Sequence, residues 1–257
     1  MKTVGRNTKK VNYEHMCGLV GYIGLGKKPN FAKNLLIAAQ MRGVDATGYI
    51  EISQNGDFLL KKQNVRASIA TRGFGLYLNQ TCSFLGHTRR TSCGANGPNQ
   101  AHPYIGQRFL LMHNGWFRPH ERLRLEVLFN INCPNGVDSE MFLSYLEKTS
   151  INDLRDVFLP EISPVYARYM LVIYDKVLKQ LHFMKDAAQV FCWKKLETGG
   201  VIYGSTPEIL QKADKTLVNL EEYPNLTHFV IDAITGSVIS SHKIPHTGVV
   251  FNAGVGV

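Results

Sequence analysis

The first sixteen residues, MKTVGRNTKKVNYEHM, are polar and basic, and the pattern changes abruptly at Cys17. Cys17-Gly18-Leu19-Val20-Gly21-Tyr22-Ile23-Gly24 is an apolar, glycine-studded run that predicts a strand. Across residues 31–41, Phe31, Leu35, Leu36, Ala38 and Ala39 recur at helical spacing and stop before Arg42-Gly43, so a helix should follow. Residues 48–62 read as two strands around Gln54-Asn55-Gly56, because Asn-Gly supplies the positive φ angles of a tight hairpin. A strand over 82–85 leads into Gly86-His87-Thr88-Arg89, and one over 109–112 runs into His113-Asn114-Gly115. Two strand ends are therefore expected to carry polar clusters.

Helical spacing returns over 118–129 and again over 138–147, where Met141, Phe142, Tyr145 and Leu146 share a face and Asp138 is placed to start the helix. Strands are predicted over 169–174, 180–185 and 200–204. Ser205-Thr206-Pro207-Glu208 then opens a short helix, with Ser or Thr at the cap and Pro in the first turn. The remainder is strand-rich to Phe251. Tyr166, Tyr169, Tyr174, Phe183, Phe191 and Trp193 fall in or beside these late strands and are expected in the core. No repeat interrupts the pattern. It describes one α+β domain of mostly antiparallel strands with helices packed outside, a size that 257 residues can fill.

Charge changes this picture little. The balance of 29 Lys+Arg against 20 Asp+Glu gives +9, but the basic residues come as scattered pairs with no basic run or aromatic-studded signature. That argues against nucleic-acid binding and for a basic, water-facing surface that would also suit an acidic partner. The five cysteines are an odd number with no CxxC pair and no zinc-ligand spacing, so neither a disulfide framework nor a structural metal is expected. No apolar stretch reaches membrane-span length and residues 1–16 are too polar for a secretory core, which makes a reducing cytoplasm the expected compartment.

Cys17 attracts attention because it stands where the polar head ends. A thiol is mostly protonated near neutrality and needs a base close by. A cysteine at a chain start carries one, its own α-amino group, which titrates near neutrality. Initiation at Met16 followed by methionine removal, or cleavage of residues 1–16 as a propeptide, would expose that amine, and the sequence does not choose between them. Asn114 and Gly115 offer a side-chain amide and a backbone N–H for an oxyanion, although Asn-Gly alone is more often a turn. Arg89 suits an α-carboxylate and Asp138 an α-ammonium. Taken singly, each reads more simply as a surface ion pair and a helix cap.

The order of the set carries more weight: Cys17-Gly18-Leu19-Val20-Gly21, Arg42-Gly43-x-Asp45-x-x-Gly48, Gly86-His87-Thr88-Arg89, Asn99-x-Ala101-His102-Pro103, His113-Asn114-Gly115 and Asp138-Ser139-Glu140. It resembles the class II glutamine amidotransferase domain, over roughly residues 17–210. The resemblance implies a four-layer αββα sandwich of the N-terminal-nucleophile hydrolase type, spanning 17–257 after a 1–16 leader. It implies Cys17 as nucleophile and, through its amine, base; Asn114 and Gly115 as oxyanion hole; Arg89, Ser92 and Asp138 as contacts to L-glutamine; and Arg42, Asp45 and His102 as supporting residues. No metal or organic cofactor is called for. The chain departs from the amino-sugar synthase branch after Arg89, where Arg90, Thr91, Ser92, Cys93 and Gly94 replace the usual Trp, Ala, Thr, His, Gly, and at Ala167-Arg168-Tyr169.

Family members normally carry an acceptor domain after the glutaminase, for which 257 residues leave no room. The expectation is an ammonia-accepting partner protein or a stand-alone amidohydrolase acting on glutamine or a γ-glutamyl compound. The alternative is a catalytically silent relative that uses the same scaffold for binding, its leader left in place.

Overall fold

A computed structural model of the chain describes residues 17–91, 101–133, 135–197 and 199–245. The glycine-studded run after Cys17 forms β1 (Gly18–Ile23), every residue of it buried. It sits inside a seven-stranded sheet whose neighbours run β11 (Glu221–Glu222), β9 (Cys192–Lys195), β10 (Val201–Gly204), β1, β4 (Thr81–Arg89), β2 (Ala46–Ser53) and β3 (Phe58–Gln63). A second, six-stranded sheet runs β13 (Val238–Lys243), β12 (Thr227–Asp232), β8 (Gln180–Lys185), β7 (Ala167–Asp175), β6 (Phe109–Phe117) and β5 (Tyr104–Ile105). The paired strands are antiparallel throughout.

Alternation along the strands builds the layers, since successive side chains point to opposite faces. Leu19 and Ile23 of β1 meet Leu110, Met112, Met170 and Val172 of the other sheet in a core between the sheets. The opposite face of the first sheet, Val20, Tyr22 and Phe84, packs on α1 (Pro29–Ala39) and, through Ile209 and Leu210, on α6 (Pro207–Ala213), with α2 (Ala67–Ala70) at its margin. The outer face of the second sheet is covered by α3 (Pro119–Leu128) and α4 (Asp138–Lys148). There α5 (Ile151–Asp153) continues into a π-turn, Leu154–Phe158, and a 3₁₀ turn, Leu159–Glu161. Helix, sheet, sheet, helix is the αββα order that the resemblance implies, within a mixed α+β architecture.

The helices form for the reasons read from their spacing. In α1, Ala32, Leu35, Leu36, Ala38 and Ala39 make the buried stripe, Pro sits in the first turn, and each buried leucine contributes about 1.5–3 kcal/mol. In α4, Met141, Phe142, Tyr145 and Leu146 are buried as expected. Thr206 caps α6 by accepting from the Ile209 N–H.

Some expectations are corrected. β4 and β6 do not stop before their polar clusters but run through them, to Arg89 and Phe117, because each stays paired with a neighbour: β4 with β2 as far as Ala46↔Arg89, β6 with β7 as far as Phe117↔Ala167. Asp138 is the first helical residue of α4 rather than its cap. Tyr166 is 38% exposed, in the turn before β7, whereas the other five late aromatics are core. The turns over 151–161 and the strands β9 and β11 lie where no strong periodicity predicts them.

Candidate active site

Cys17 immediately precedes β1, whose register against β4 pairs Gly18 with Thr88, so that one step further Cys17 stands opposite Arg89. Ser205 fixes the strand behind it: its Oγ accepts from the Leu19 N–H at 2.7 Å and its own N–H donates to Leu19 O at 2.8 Å. Arg42, buried at the end of α1, donates from Nε to Cys17 O at 2.9 Å. The sulfur is half-buried and accepts from the Arg90 N–H at 3.3 Å. Burial pushes the thiol up to about 11, with Asp138 adding to the rise, while the Arg90 amide, Arg89 and Arg42 pull against it. The net direction is the informative part. At neutral pH this sulfur keeps its proton unless a base stands within reach.

Arg89 is no surface ion pair: it is buried at the end of β4, with Nη1 donating to Thr91 Oγ1 at 3.0 Å. Asp45 braces the same turn, its Oδ2 accepting from the Thr91 N–H at 2.8 Å and its own N–H donating to Arg89 O at 3.0 Å. Asp138 opens α4 almost fully buried, with Oδ1 accepting from the Ser139 N–H at 2.9 Å and lying 3.8 Å from His113 Nδ1. Its charge is felt at the Cys17 sulfur, as are those of Arg89 and Arg42. One carboxylate and two guanidiniums therefore lie within electrostatic reach of one thiol.

Asn114 and Gly115 lie on β6, in the sheet facing β1. Asn114 is 1% exposed, and its Oδ1 has no hydrogen-bond partner among the described residues. Phe109 directs both its N–H, to Glu147, and its C=O, from Gly106, away from β7. Alternation carries that side through His113, whose C=O accepts from His87, to Gly115. The Gly115 N–H is thus aimed where β5 has already ended. Only glycine fits there, since a Cβ would run into Arg168 O and His113 Nε2.

His102 lies just outside this ring, in the turn before β5 and ahead of a cis peptide to Pro103. Its carbonyl lies against β2 where a side chain on Gly48 would otherwise be. Its Nε2 is 3.0 Å from Ser139 Oγ. Burial holds His102 well below the usual histidine range, lowers His113 and puts His87 at about 3.

Of the residues singled out from sequence, Cys17, Arg42, Asp45, Arg89 and Asp138 are brought together directly, Asn114 and Gly115 face them from the opposite sheet, and His102 stands behind. Ser92 lies outside the described residues. Four participants carried no signal of their own. The Arg90 amide acts through backbone, Thr91 and Ser205 are ordinary hydroxyls, and Ser139 was marked only by standing next to Asp138. Among the described residues, no three His, Cys, Asp or Glu side chains are placed to hold a metal. No helix among them is long and apolar enough to cross a membrane.

No family model matches the chain. It is 29% identical over 215 residues, 80% of its length, to a glutamine–fructose-6-phosphate aminotransferase of Helicobacter pylori, covering 35% of that protein. It is 25% identical over 222 residues to the enzyme of the same name from Campylobacter jejuni, covering 36% of it. The chain spans well under half the length of these curated relatives. Among solved structures, it superposes on the glutamine phosphoribosylpyrophosphate amidotransferase of B. subtilis with a TM-score of 0.66 at 16% identity, over 89% of this chain and 49% of that one. On a class-II glutamine aminotransferase domain protein from Silicibacter pomeroyi the TM-score is 0.58 at 13% identity, covering 89% and 100%. At such identities the structural likeness is one of fold.

Proposed function

We propose that this class II glutamine amidotransferase domain hydrolyses the side-chain amide of L-glutamine to glutamate and ammonia through a thioester on Cys17. Arg89 holds the α-carboxylate of glutamine and Asp138 its α-ammonium, which leaves the carboxamide carbon over the sulfur. The α-amino group of Cys17, freed by loss of residues 1–16, takes the thiol proton. Sulfur adds to the carbonyl, and the oxyanion is held by the Asn114 side-chain amide and the Gly115 N–H. Collapse breaks the C–N bond, the ammonium of Cys17 returns its proton to the leaving nitrogen, and ammonia departs. Water, deprotonated by the same amine, then cleaves the thioester to glutamate and restores the thiol.

The observation that carries this reading is the placement of Cys17 opposite Arg89 in the β1–β4 register, its sulfur accepting from the Arg90 N–H at 3.3 Å, with Arg42 and Asp138 also within electrostatic reach and burial raising the thiol. Such a thiol is inert without a neighbouring base, and a free amine on the same residue is the nearest one available. Ammonia is readily lost to solvent, so it is either passed to an acceptor or released free, as by a stand-alone amidohydrolase. Arg42 and Asp45 support the site by bracing Cys17 and the turn after Arg89.

Glutamine turnover and intact mass, measured on the same purified protein, test it. The expected result is a chain starting at Cys17 that releases glutamate, and a Cys17→Ala variant that melts like wild type but has lost at least about 10⁴-fold of that activity. A working protein that retains residues 1–16, or a Cys17→Ala variant with undiminished turnover, overturns the mechanism. A chain that starts at Met1 and releases no glutamate is the silent scaffold instead.

A further inference from the structure

Behind the site, one hydroxyl joins two histidines that come from different segments. Ser139 Oγ lies 3.0 Å from His102 Nε2 and 3.1 Å from His113 Nδ1, and all three side chains are buried. A serine hydroxyl has a single proton to give. Its oxygen can also accept twice, but two donating histidines would leave that proton without an acceptor; with every group satisfied, one histidine accepts from Ser139 and the other donates to it, and the outer contacts decide which. His113 Nε2 faces the carbonyl of Arg168 at 3.5 Å, within hydrogen-bond reach, whereas Asp138 Oδ1 lies 3.8 Å from Nδ1, beyond it, so Nε2 bears the proton and Nδ1 is bare. Ser139 then donates to His113 Nδ1, and His102 donates to Ser139 from Nε2. His87 Nε2 faces the carbonyl of His113 at 3.2 Å and carries its proton there too. Its ring lies against that of His102, with centroids 4.0 Å apart. This is the arrangement that meets every one of these contacts with a donor facing an acceptor. It leaves bare only two lone pairs, His87 Nδ1 and His102 Nδ1, both without a partner among the described residues. These protons are assigned from their partners.

We propose that Ser139 is a positioning residue for the oxyanion-binding strand, its hydroxyl directing the His102–Ser139–His113 proton order so that His113 is locked beside Asn114 and Gly115. The proposal rests on the glutamine-hydrolysing reading above. The geometry gives Ser139 two separate ties to the site. Its backbone N–H holds the Asp138 carboxylate at 2.9 Å, which any residue at 139 would do. Its hydroxyl alone reaches His113, whose ring stands against Gly115 where a Cβ would touch Nε2. Removal of the hydroxyl should therefore spare substrate capture by Asp138 and loosen the strand that stabilises developing charge. That is a loss in kcat rather than in KM.

The test combines kinetics with ¹⁵N spectra of the imidazoles, on protein that starts at Cys17. In wild type, His87, His102 and His113 should all appear as neutral Nε2–H tautomers. Ser139→Ala is expected to lower kcat about tenfold, the effect of roughly one lost hydrogen bond, with KM unchanged and the His102 and His113 signals altered. Ser139→Thr, which keeps the hydroxyl, should restore both. Wild-type kcat in Ser139→Ala, a rise in KM alone, or a His113 proton on Nδ1 in wild type would each overturn the proposal. Should Ser139→Ala fail to fold, the wild-type tautomers and the Ser139→Thr kinetics still decide. A wild-type protein that cannot hydrolyse glutamine sinks the functional reading instead, and the nitrogen spectra of wild type and Ser139→Ala then judge the network by themselves.

Discussion

Two groups of buried histidines in this fold look alike in chemistry and differ in wiring. Behind the proposed active site, His102 and His113 flank Ser139 and His87 packs against His102. Away from it, His182 on β8 and His228 on β12 hydrogen-bond each other, Nδ1 to Nε2 at 3.0 Å, with the His242 ring 5.8 Å from that of His228. Burial depresses both groups, with His182 at about 4 and His228 at about 3. The second group has no hydroxyl to receive a proton. Whichever histidine donates in the shared bond, the other must carry its own proton on an outward nitrogen, and neither outward nitrogen has a partner among the described residues. A buried N–H without an acceptor costs about 1–3 kcal/mol, and nothing in the pair prefers one tautomer over the other. Desolvation keeps histidines neutral in both places, but only a mediating hydroxyl gives them a fixed direction. The comparison separates neutrality, which burial supplies anywhere, from order, which requires a specific third group.

Ranked by effect on glutamine turnover, the first way to break this contrast is to disturb the ordered end directly. Gly115→Ala pushes a methyl into Arg168 O and His113 Nε2. It should lower kcat by about 10²–10³, the scale of one lost oxyanion donor, and destabilise the fold by roughly 1–3 kcal/mol from overpacking. Stopped assays alongside denaturant titration check both. An alanine variant with wild-type kcat would mean that the Gly115 N–H is not part of the chemistry. Next comes Arg89→Lys, which keeps the charge but loses the planar fork. We expect KM for glutamine to rise about 10–100-fold with a smaller change in kcat, and a change confined to kcat would remove Arg89 from the carboxylate.

These positions show what a sequence discloses and what it withholds. Antiparallel strands with helices outside were legible because α1 and α4 carry their buried stripes in plain view and β1 is an unbroken apolar run, whereas the αββα order followed only from the family resemblance. Cys17, Arg89, Asn114, Gly115 and Asp138 stood out as candidates because their residue types suit one chemistry and their order resembles one family's motifs. The lengths of β4 and β6 were not. His87 to Arg89 and His113 to Gly115 look like loop because they are polar, yet they stay in the ladder, their backbones held by β2 and β7, with Thr88 bonded to α1 and His113 to Ser139 of α4. Ser139 was unreadable for a related reason. A serine near a helix start has many local uses, and its role depends on which two rings a distant loop and strand bring to it. The paired histidines on β8 and β12 are 46 residues apart and meet through a register that no local pattern encodes.

The smallest effect on turnover is expected at that distal pair, where the effect on stability should be large and confined to acid. In the unfolded chain a histidine takes up a proton near pH 6.5, whereas His182 and His228 in the fold resist it down to about 4 and about 3. Below pH 6.5 the unfolded state thus binds protons that the native state does not. Stability is fully present above that pH and falls as the medium is acidified, by about 1.4 kcal/mol per pH unit for each histidine until its folded value is reached. The double variant His182→Leu/His228→Leu removes both uptakes together with the orphaned N–H. At pH 8 it should match wild type within about 1 kcal/mol, since replacing both partners of a buried polar pair leaves nothing unpaired. At pH 5 it should retain roughly 4 kcal/mol that wild type has lost, with kcat and KM for glutamine unmoved. Urea midpoints at the two pH values read the difference. Parallel acid limbs would show that the pair is already protonated or hydrated in the fold, and a drop in kcat would show that the distal histidines are coupled to Cys17 after all.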